Sequence, residues 1–298
     1  MISCKAPAKI NLALHVTGQR PDGYHLLDTL AGFCNIGDVV QAQRADGTSH
    51  ELEILGPFSA SLQGTARADN LVMRAAESLM QFAASKGCAT FPAKLTLEKN
   101  LPVASGMGGG SADAAASLLA LARLWDLPKA LDLASVAASL GADVPMCMAS
   151  QPLRATGIGE RIELLGPQQP IDVVLVNPGV AIATPAIFAR LENRNNPAIG
   201  THPLRAFEPA WLSQLRNDLE TPARKLAPVI NEVLSILGAD DGARLVRMSG
   251  SGATCFALHE SRDSALAAAS RVLDRHPDWW CVATQIEGLP IANRLRAA

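Results

Sequence analysis

Leu101-Pro102-Val103-Ala104-Ser105-Gly106-Met107-Gly108-Gly109-Gly110-Ser111-Ala112 sets four glycines within five positions, between a strand-like segment and a helix-like one. Upstream, Ala93, Leu95 and Leu97 alternate with Lys94, Thr96 and Glu98, the period of a half-buried strand. Downstream, an Ala-rich helix is predicted over 111–125. Glycine reaches positive φ, and without a Cβ several backbone N–H groups can converge on one anion. The unpaired N–H groups and the dipole of the following helix favour a phosphate at the same place. A merely flexible loop is the plainer reading, but glycine costs on the order of 1 kcal/mol relative to alanine in regular structure. Four of them beside a helix start therefore point to a phosphate-binding function. The loop is not a Walker A motif, because no Gly-Lys dipeptide occurs, and neither an early Rossmann fingerprint nor H-R-D or D-F-G is present.

Working outward, residues 1–16 mix a β-like apolar pattern with Lys5 and Lys9, and 18–23 read as a turn. Short strands are expected near 38–43 and 51–55. Asp69 is the expected cap of a helix whose apolar positions run from Leu71 to Ala83 at helical spacing. A second helix is predicted over 129–140. Beyond the punctuation at Gly157, Gly159, Gly166 and Pro167 come a strand at 173–176, a polar loop at 193–203 and a long helix over 218–237. A strand at 244–248, the Gly250/Gly252 turn, a helix over 264–274 and a strand at 281–285 complete the reading. Strands and helices mixed without strict βαβ alternation indicate α+β, with two domains, 1–160 and 161–298, meeting near residue 160.

The chain has 298 residues, 48% hydrophobic and 18% charged, the composition of a globular protein. Its 26 basic and 28 acidic side chains nearly balance, against the basic excess of nucleic-acid binders. No apolar run is long enough to span a bilayer, and Lys5 and Lys9 interrupt any signal core, so a cytoplasmic protein without a membrane partner is expected. The six cysteines are widely and irregularly spaced, which suggests neither zinc ligation nor a disulfide framework. Free thiols in a reducing compartment are expected.

Three further segments join the loop in one ordered pattern: Pro7-Ala8-Lys9-Ile10-Asn11-Leu12, Gly141-Ala142-Asp143-Val144-Pro145 and Ser249-Gly250-Ser251-Gly252-Ala253. Together they resemble the galactokinase, homoserine kinase, mevalonate kinase and phosphomevalonate kinase (GHMP) superfamily. Within it, Gly18-Gln19-Arg20-Pro21-Asp22-Gly23-Tyr24-His25 resembles the 4-diphosphocytidyl-2-C-methyl-D-erythritol kinases of the non-mevalonate isoprenoid route. The resemblance covers nearly the whole chain. It implies a two-domain α+β GHMP fold with its active site in the inter-domain cleft, and transfer of the ATP γ-phosphate to the 2-hydroxyl of the methylerythritol moiety. ATP with a divalent cation, Mg²⁺, is the only cofactor implied, with no protein ligand to the metal assigned. Monomer and weak homodimer both remain open.

The resemblance also distributes roles. Asp143 becomes the base that takes the hydroxyl proton, where a turn or helix-end carboxylate is the plainer reading. Lys9 is turned into the cleft to pair with it and offset charge on the phosphoryl group, instead of being an ordinary surface lysine. Pro102, Val103, Ala104, Ser105, Gly106, Met107, Gly108, Gly109, Gly110, Ser111 and Ala112 bind ATP, with Asn70 and Lys99 near the nucleotide. Asn11 shares the strand face of Lys9 under period two and, with His25, hydrogen-bonds the acceptor. Tyr24 and Phe188 offer aromatic faces to the cytosine. Asp113 either complements the helix dipole or touches the metal, and the Gly250/Gly252 turn closes over the acceptor end. Ala31 departs from the pattern, which places an aromatic there. The competing readings are another GHMP kinase of homoserine or mevalonate type, and a non-catalytic nucleotide-binding regulator; the first lacks the Gly23-Tyr24-His25 signature and the second needs neither Lys9 nor Asp143.

Overall fold

Two long strands organise the molecule in this computed structural model, which describes residues 1–201, 207–287 and 294–297. They are β1 (Ile2–Gln19) and β2 (His25–Arg44), an antiparallel pair whose connecting turn carries Tyr24. Register shifts between Pro7 and Lys9, and again between Asn11 and Ala13, break β1 into segments that face different surroundings. Between those shifts Ala8, Ile10 and Leu12 point into one apolar cluster, leaving Lys9 and Asn11 together on the opposite face. Past the second shift, Leu14 and Val16 join the core of the C-terminal half.

The N-terminal half adds β3 (Glu51–Leu55) and β4 (Ala93–Glu98), which pair in parallel, with β4 also antiparallel to β2. Beside the first half of β2 lie β5 (Leu153–Gly157) and β6 (Arg161–Leu164). Helices α1 (Leu71–Ser85), α2 (Gly109–Leu124), α3 (Leu133–Leu140) and α4 (Val144–Ala149) share one core with these strands. Every residue of α2 from Ala112 to Leu121 is buried, so its run of alanines reflects close approach on all sides.

The C-terminal half contains β7 (Ile171–Asn177), α5 (Thr184–Phe188), α6 (Pro209–Leu212), α7 (Glu220–Leu226), α8 (Val229–Gly238), β8 (Ala243–Met248), β9 (Cys255–His259), α9 (Arg262–Arg275) and β10 (Trp280–Ile286). Its strand order is β10-β7-β9-β8, and the single pair Ile286–Cys34 joins β10 to β2. The last strand, β11 (Leu295–Ala297), returns to pair with β1. Mixed helix and strand, arranged as two halves, is the expected α+β class.

Local expectations shift in instructive ways. The helix predicted over 218–237 is two helices, because Pro228 offers no N–H and pushes Ala227 out of helical dihedrals (φ −131°, ψ 86°). The helix predicted over 129–140 begins at Leu133, where the Asp132 carboxylate accepts from the N–H groups of Ala134 and Ser135. Asn70, not Asp69, caps α1: its Oδ1 accepts from Val72 N at 2.9 Å, while Asp69 ends a short 3₁₀ turn. Helix α2 starts two residues earlier than predicted, inside the glycine run. Of the polar loop expected at 193–203, residues 202 and 203 lie outside the described residues.

Candidate active site

A cleft of about 570 Å³ opens between the halves, lined by the glycine loop, by Lys9 and Asn11 of β1, by Asp143, and by Thr184, Phe188, Gly250 and Ser251 from the C-terminal half. The loop keeps its backbone open through positive φ at Ala104, Gly106 and Gly108. Gly108 is the residue before α2, at φ 65°, and a Cβ there would press on the Lys9 side chain at 3.2 Å. The loop is therefore packed against β1, and Lys9 N–H donates to Met107 O at 2.9 Å.

Lys9 Nζ donates to Asp143 Oδ2 at 2.6 Å; the lysine is nearly buried while the carboxylate side chain is 40% exposed. Asp143 sits at the residue before α4 yet makes no capping hydrogen bond, so helix capping does not occupy its carboxylate. It is left to the ammonium and the cleft. The arrangement can accept a proton from a hydroxyl and place a cation beside whatever that oxygen attacks.

The second glycine turn lies against the first. Ser249 Oγ donates to Gly106 O at 2.9 Å, Thr254 N–H donates to Ser105 O at 3.1 Å, and Asn11 N–H donates to Ser249 Oγ at 3.1 Å. Asn217 holds this turn from behind, donating through Nδ2 to the carbonyls of Met248 and Gly250, both at 2.8 Å. Expected to close over the acceptor end of the cleft, the turn does line the cleft through Gly250 and Ser251, and it also buttresses the phosphate loop. The Asn11 side chain donates to Thr29 Oγ1 at 2.8 Å, which fixes its amide with Oδ1 beside Gly250.

Phe188 lines the cleft, and the His25 ring, itself outside the lining, stacks on it with centroids 4.6 Å apart and planes 25° apart. Burial lowers the His25 pKa, with a smaller contribution from the Arg194 charge, so the ring is held neutral. Its Nε2 is buried without a hydrogen-bond partner among the described residues. Tyr24 does not join this stack: it stands 59% exposed at the hairpin turn, outside the cleft lining. Ala31 is fully buried against the N-terminal core, and it pairs with Asn11 across β1 and β2, which puts its side chain on the same sheet face as Asn11.

Asn70 reaches the cleft, with Oδ1 committed to capping α1. Lys99 also lines it, but its Nζ is bound to Asp38 and Asp113, and all three side chains are buried. Asp113 lies in this ionic cluster one turn into α2. Sequence reading missed Asp38, Thr29, Asn217 and Thr184, whose Oγ1 is 2.8 Å from Ser251 Oγ. Ser249 and Ser251 were within a quoted motif, whereas Asp38 lies in a strand with nothing local to mark it.

Comparison with known proteins assigns the chain to a family. The family profile for the GHMP kinases N terminal domain matches residues 70–151, and that for the GHMP kinases C terminal domain matches 197–278. A protein of Agrobacterium fabrum named 4-diphosphocytidyl-2-C-methyl-D-erythritol kinase is 50% identical over 285 residues, 94% of each chain. One of the same name from Cereibacter sphaeroides strain KD131 is 47% identical over 298 residues, covering 97% of this chain and all of that one. A crystal structure of 4-(cytidine 5'-diphospho)-2C-methyl-D-erythritol kinase superimposes with a TM-score of 0.77 at 34% identity, covering 96% of this chain and 100% of the other. Homoserine kinase from Cytophaga hutchinsonii gives 0.74 at 17% identity, covering 99% of this chain and 97% of that one, a likeness of fold alone.

Proposed function

Because the chain belongs to the GHMP kinases, and among them to the 4-diphosphocytidyl-2-C-methyl-D-erythritol kinases, we propose that it transfers the γ-phosphate of ATP to the 2-hydroxyl of 4-diphosphocytidyl-2-C-methyl-D-erythritol. The observation that carries the reading is the Lys9–Asp143 pair, 2.6 Å apart, sharing one cleft with the glycine loop. In the reaction the acceptor oxygen attacks the γ-phosphorus, the bond to the β-phosphate oxygen breaks, and ADP leaves. Asp143 takes the hydroxyl proton, and Lys9 offsets charge on the transferring group.

The loop 102–112 holds the ATP phosphates through its N–H groups and the start of α2. A backbone open at Gly106 and Gly108 fits that task, since a Cβ at either would meet neighbouring atoms at 2.4 or 3.2 Å. Asn70 contributes at the nucleotide side. A divalent cation, Mg²⁺, accompanies the nucleotide and adds positive charge at the phosphates. When bound it would take the nucleotide phosphates as ligands, a mode common for Mg²⁺.

The acceptor lies toward Asn11, His25 and Phe188. His25 Nε2, buried and unpartnered, suits a hydrogen bond to the cytosine, and the Phe188 ring suits stacking. Tyr24, exposed in the turn next to His25, offers the base a second aromatic face. We place the domain boundary near residue 160 and the protein in the cytoplasm; the six unpaired cysteines suit a reducing compartment. Among the described residues no helix is long and apolar enough to cross a membrane.

The test is a coupled ADP-release assay with the cytidyl diphosphate acceptor and with methylerythritol phosphate lacking the nucleotide. Remote binding energy from the base positions the hydroxyl, so a strong preference for the first is expected. His25→Ala should raise the acceptor KM and leave that of ATP unchanged. Equal use of both acceptors by the wild type would withdraw the cytidyl assignment.

A further inference from the structure

The residues just before the glycine loop and the first turn just after it are joined by one buried ionic cluster. Asp38, in mid-β2, accepts through Oδ1 from the N–H groups of Asn100 (2.6 Å) and Leu101 (2.9 Å), the two residues that lead into the loop. Its Oδ2 receives Lys99 Nζ, and the same ammonium donates to Asp113 Oδ2 at 3.0 Å, one turn into α2. Lys99, Asp38 and Asp113 are 3%, 1% and 3% exposed. Gly109 sits directly over the cluster: a Cβ there would lie 3.1 Å from Lys99 Nζ and 3.7 Å from Asp38 Oδ2. Its φ is not positive, so at this position the need for glycine comes from the ammonium packed beneath it.

A buried charge cluster is costly, and replacing one by apolar residues is often neutral or stabilising. This one also sets two carboxyl groups on a single ammonium. Burial, opposed by Lys99 and reinforced by Asp38, pushes the Asp113 carboxyl up to about 8, and its Oδ1 is buried with no partner. Burial would lower the Lys99 pKa, but Asp113 and Asp38 outweigh it and raise it, so the ammonium stays charged. Nothing about fold stability calls for such a group here. Its placement, bridging the two ends of the loop, does suggest what it is for.

We propose that Asp38, Lys99 and Asp113 are positioning residues for phosphoryl transfer, a buried hydrogen-bonded tie that fixes the start of α2 relative to the strand before the loop and so holds the loop N–H groups in place for the nucleotide phosphates. Lys99 then acts through the loop and not on the nucleotide. The inference rests on the kinase reading, since a tie across this loop matters only if the loop holds phosphates.

Asp113→Leu cuts the tie at α2 while leaving Lys99–Asp38 as a neutral pair, so the fold should survive and melting should be no lower than in the wild type. Asp113→Asn keeps an oxygen facing Lys99 and removes only the charge. The measurements are ATP affinity by calorimetry without acceptor, then kcat and both KM values, with melting temperature as control. Asp113→Leu should weaken ATP about tenfold or more and lower kcat, with the acceptor KM unchanged. Asp113→Asn should restore most of the ATP affinity. Wild-type ATP affinity and kcat in Asp113→Leu would overturn the proposal. A loss in Asp113→Asn as deep as in Asp113→Leu would also overturn it, because the charge itself and not the tie would then matter. A wild type that binds ATP but ignores the cytidyl acceptor would fail the assigned substrate and leave the tie testable by calorimetry alone.

Discussion

Gly106→Ala tests whether the two glycine turns work as a unit. Gly106 has φ 75°, and a Cβ built on it would lie 2.4 Å from Ser249 O, 2.7 Å from Gly252 N and 2.9 Å from Gly252 O. All three are backbone atoms, so no side chain can swing aside. Restoring ordinary contact with the nearest oxygen, at about 3.4 Å, requires the turns to separate by about 1 Å. That separation stretches the Ser249 Oγ–Gly106 O bond (2.9 Å) and the Thr254 N–Ser105 O bond (3.1 Å). Left-handed φ at alanine adds about 1–2 kcal/mol of strain, and weakening two hydrogen bonds adds about 1 kcal/mol each. Folding should therefore lose about 3–4 kcal/mol, which a chain of this size can survive. Function should suffer more, because a displacement of about 1 Å at a positioning element can cost on the order of 100-fold in rate. The assay is kcat/KM for ATP by ADP release, below the melting temperature of the variant. A kcat/KM within threefold of wild type, with melting unchanged, would refute the coupling of the two turns.

Asp143→Asn should lower kcat by roughly 10²–10⁴ while ATP affinity by calorimetry stays near normal, since a general base is lost but not the phosphate loop; near-wild-type turnover in a folded variant removes Asp143 from the mechanism. Phe188→Ala should raise the acceptor KM by about tenfold, the loss expected for one base–aromatic stack; an unchanged KM would mean that the base binds elsewhere. Ala31→Phe should destabilise the fold by about 1–3 kcal/mol by overpacking a core with no space for a ring; unaltered melting with tighter acceptor binding would show that this side chain reaches the cleft after all. His15 Nδ1 donates to Pro197 O at 3.0 Å and its Nε2 accepts from Arg216 N–H at 3.3 Å, so the ring must be neutral. Burial, then the Arg216 charge, lowers its pKa below the ordinary 6.5, so the unfolded chain binds the proton more readily and stability falls as pH drops below about 6.5. His15→Gln should reduce the loss of melting temperature between pH 7.5 and 5.5; an equal loss in both proteins would show that His15 is not responsible.

The local order of the chain was written in its sequence. The glycine loop between strand and helix, the strands at Glu51–Leu55, Ala93–Glu98 and Ile171–Asn177, and helices α1, α2 and α9 follow from periodicity and glycine chemistry, which act over a few neighbours. The motif around Asp143 marked that carboxylate, and period two put Lys9 and Asn11 on one face. What sequence could not decide was anything set by contacts between distant segments. Lys9 meets Asp143 across 134 positions, and the two register shifts in β1 that turn its face toward the cleft leave no trace in composition. Asp38 reads as a polar residue in a strand until folding brings Asn100 and Lys99 onto it. Tyr24 carries the reverse lesson: a family pattern names the position, but how far its side chain is exposed is set by the hairpin turn that carries it. Packing at close density admits one such arrangement, and only the assembled chain expresses it.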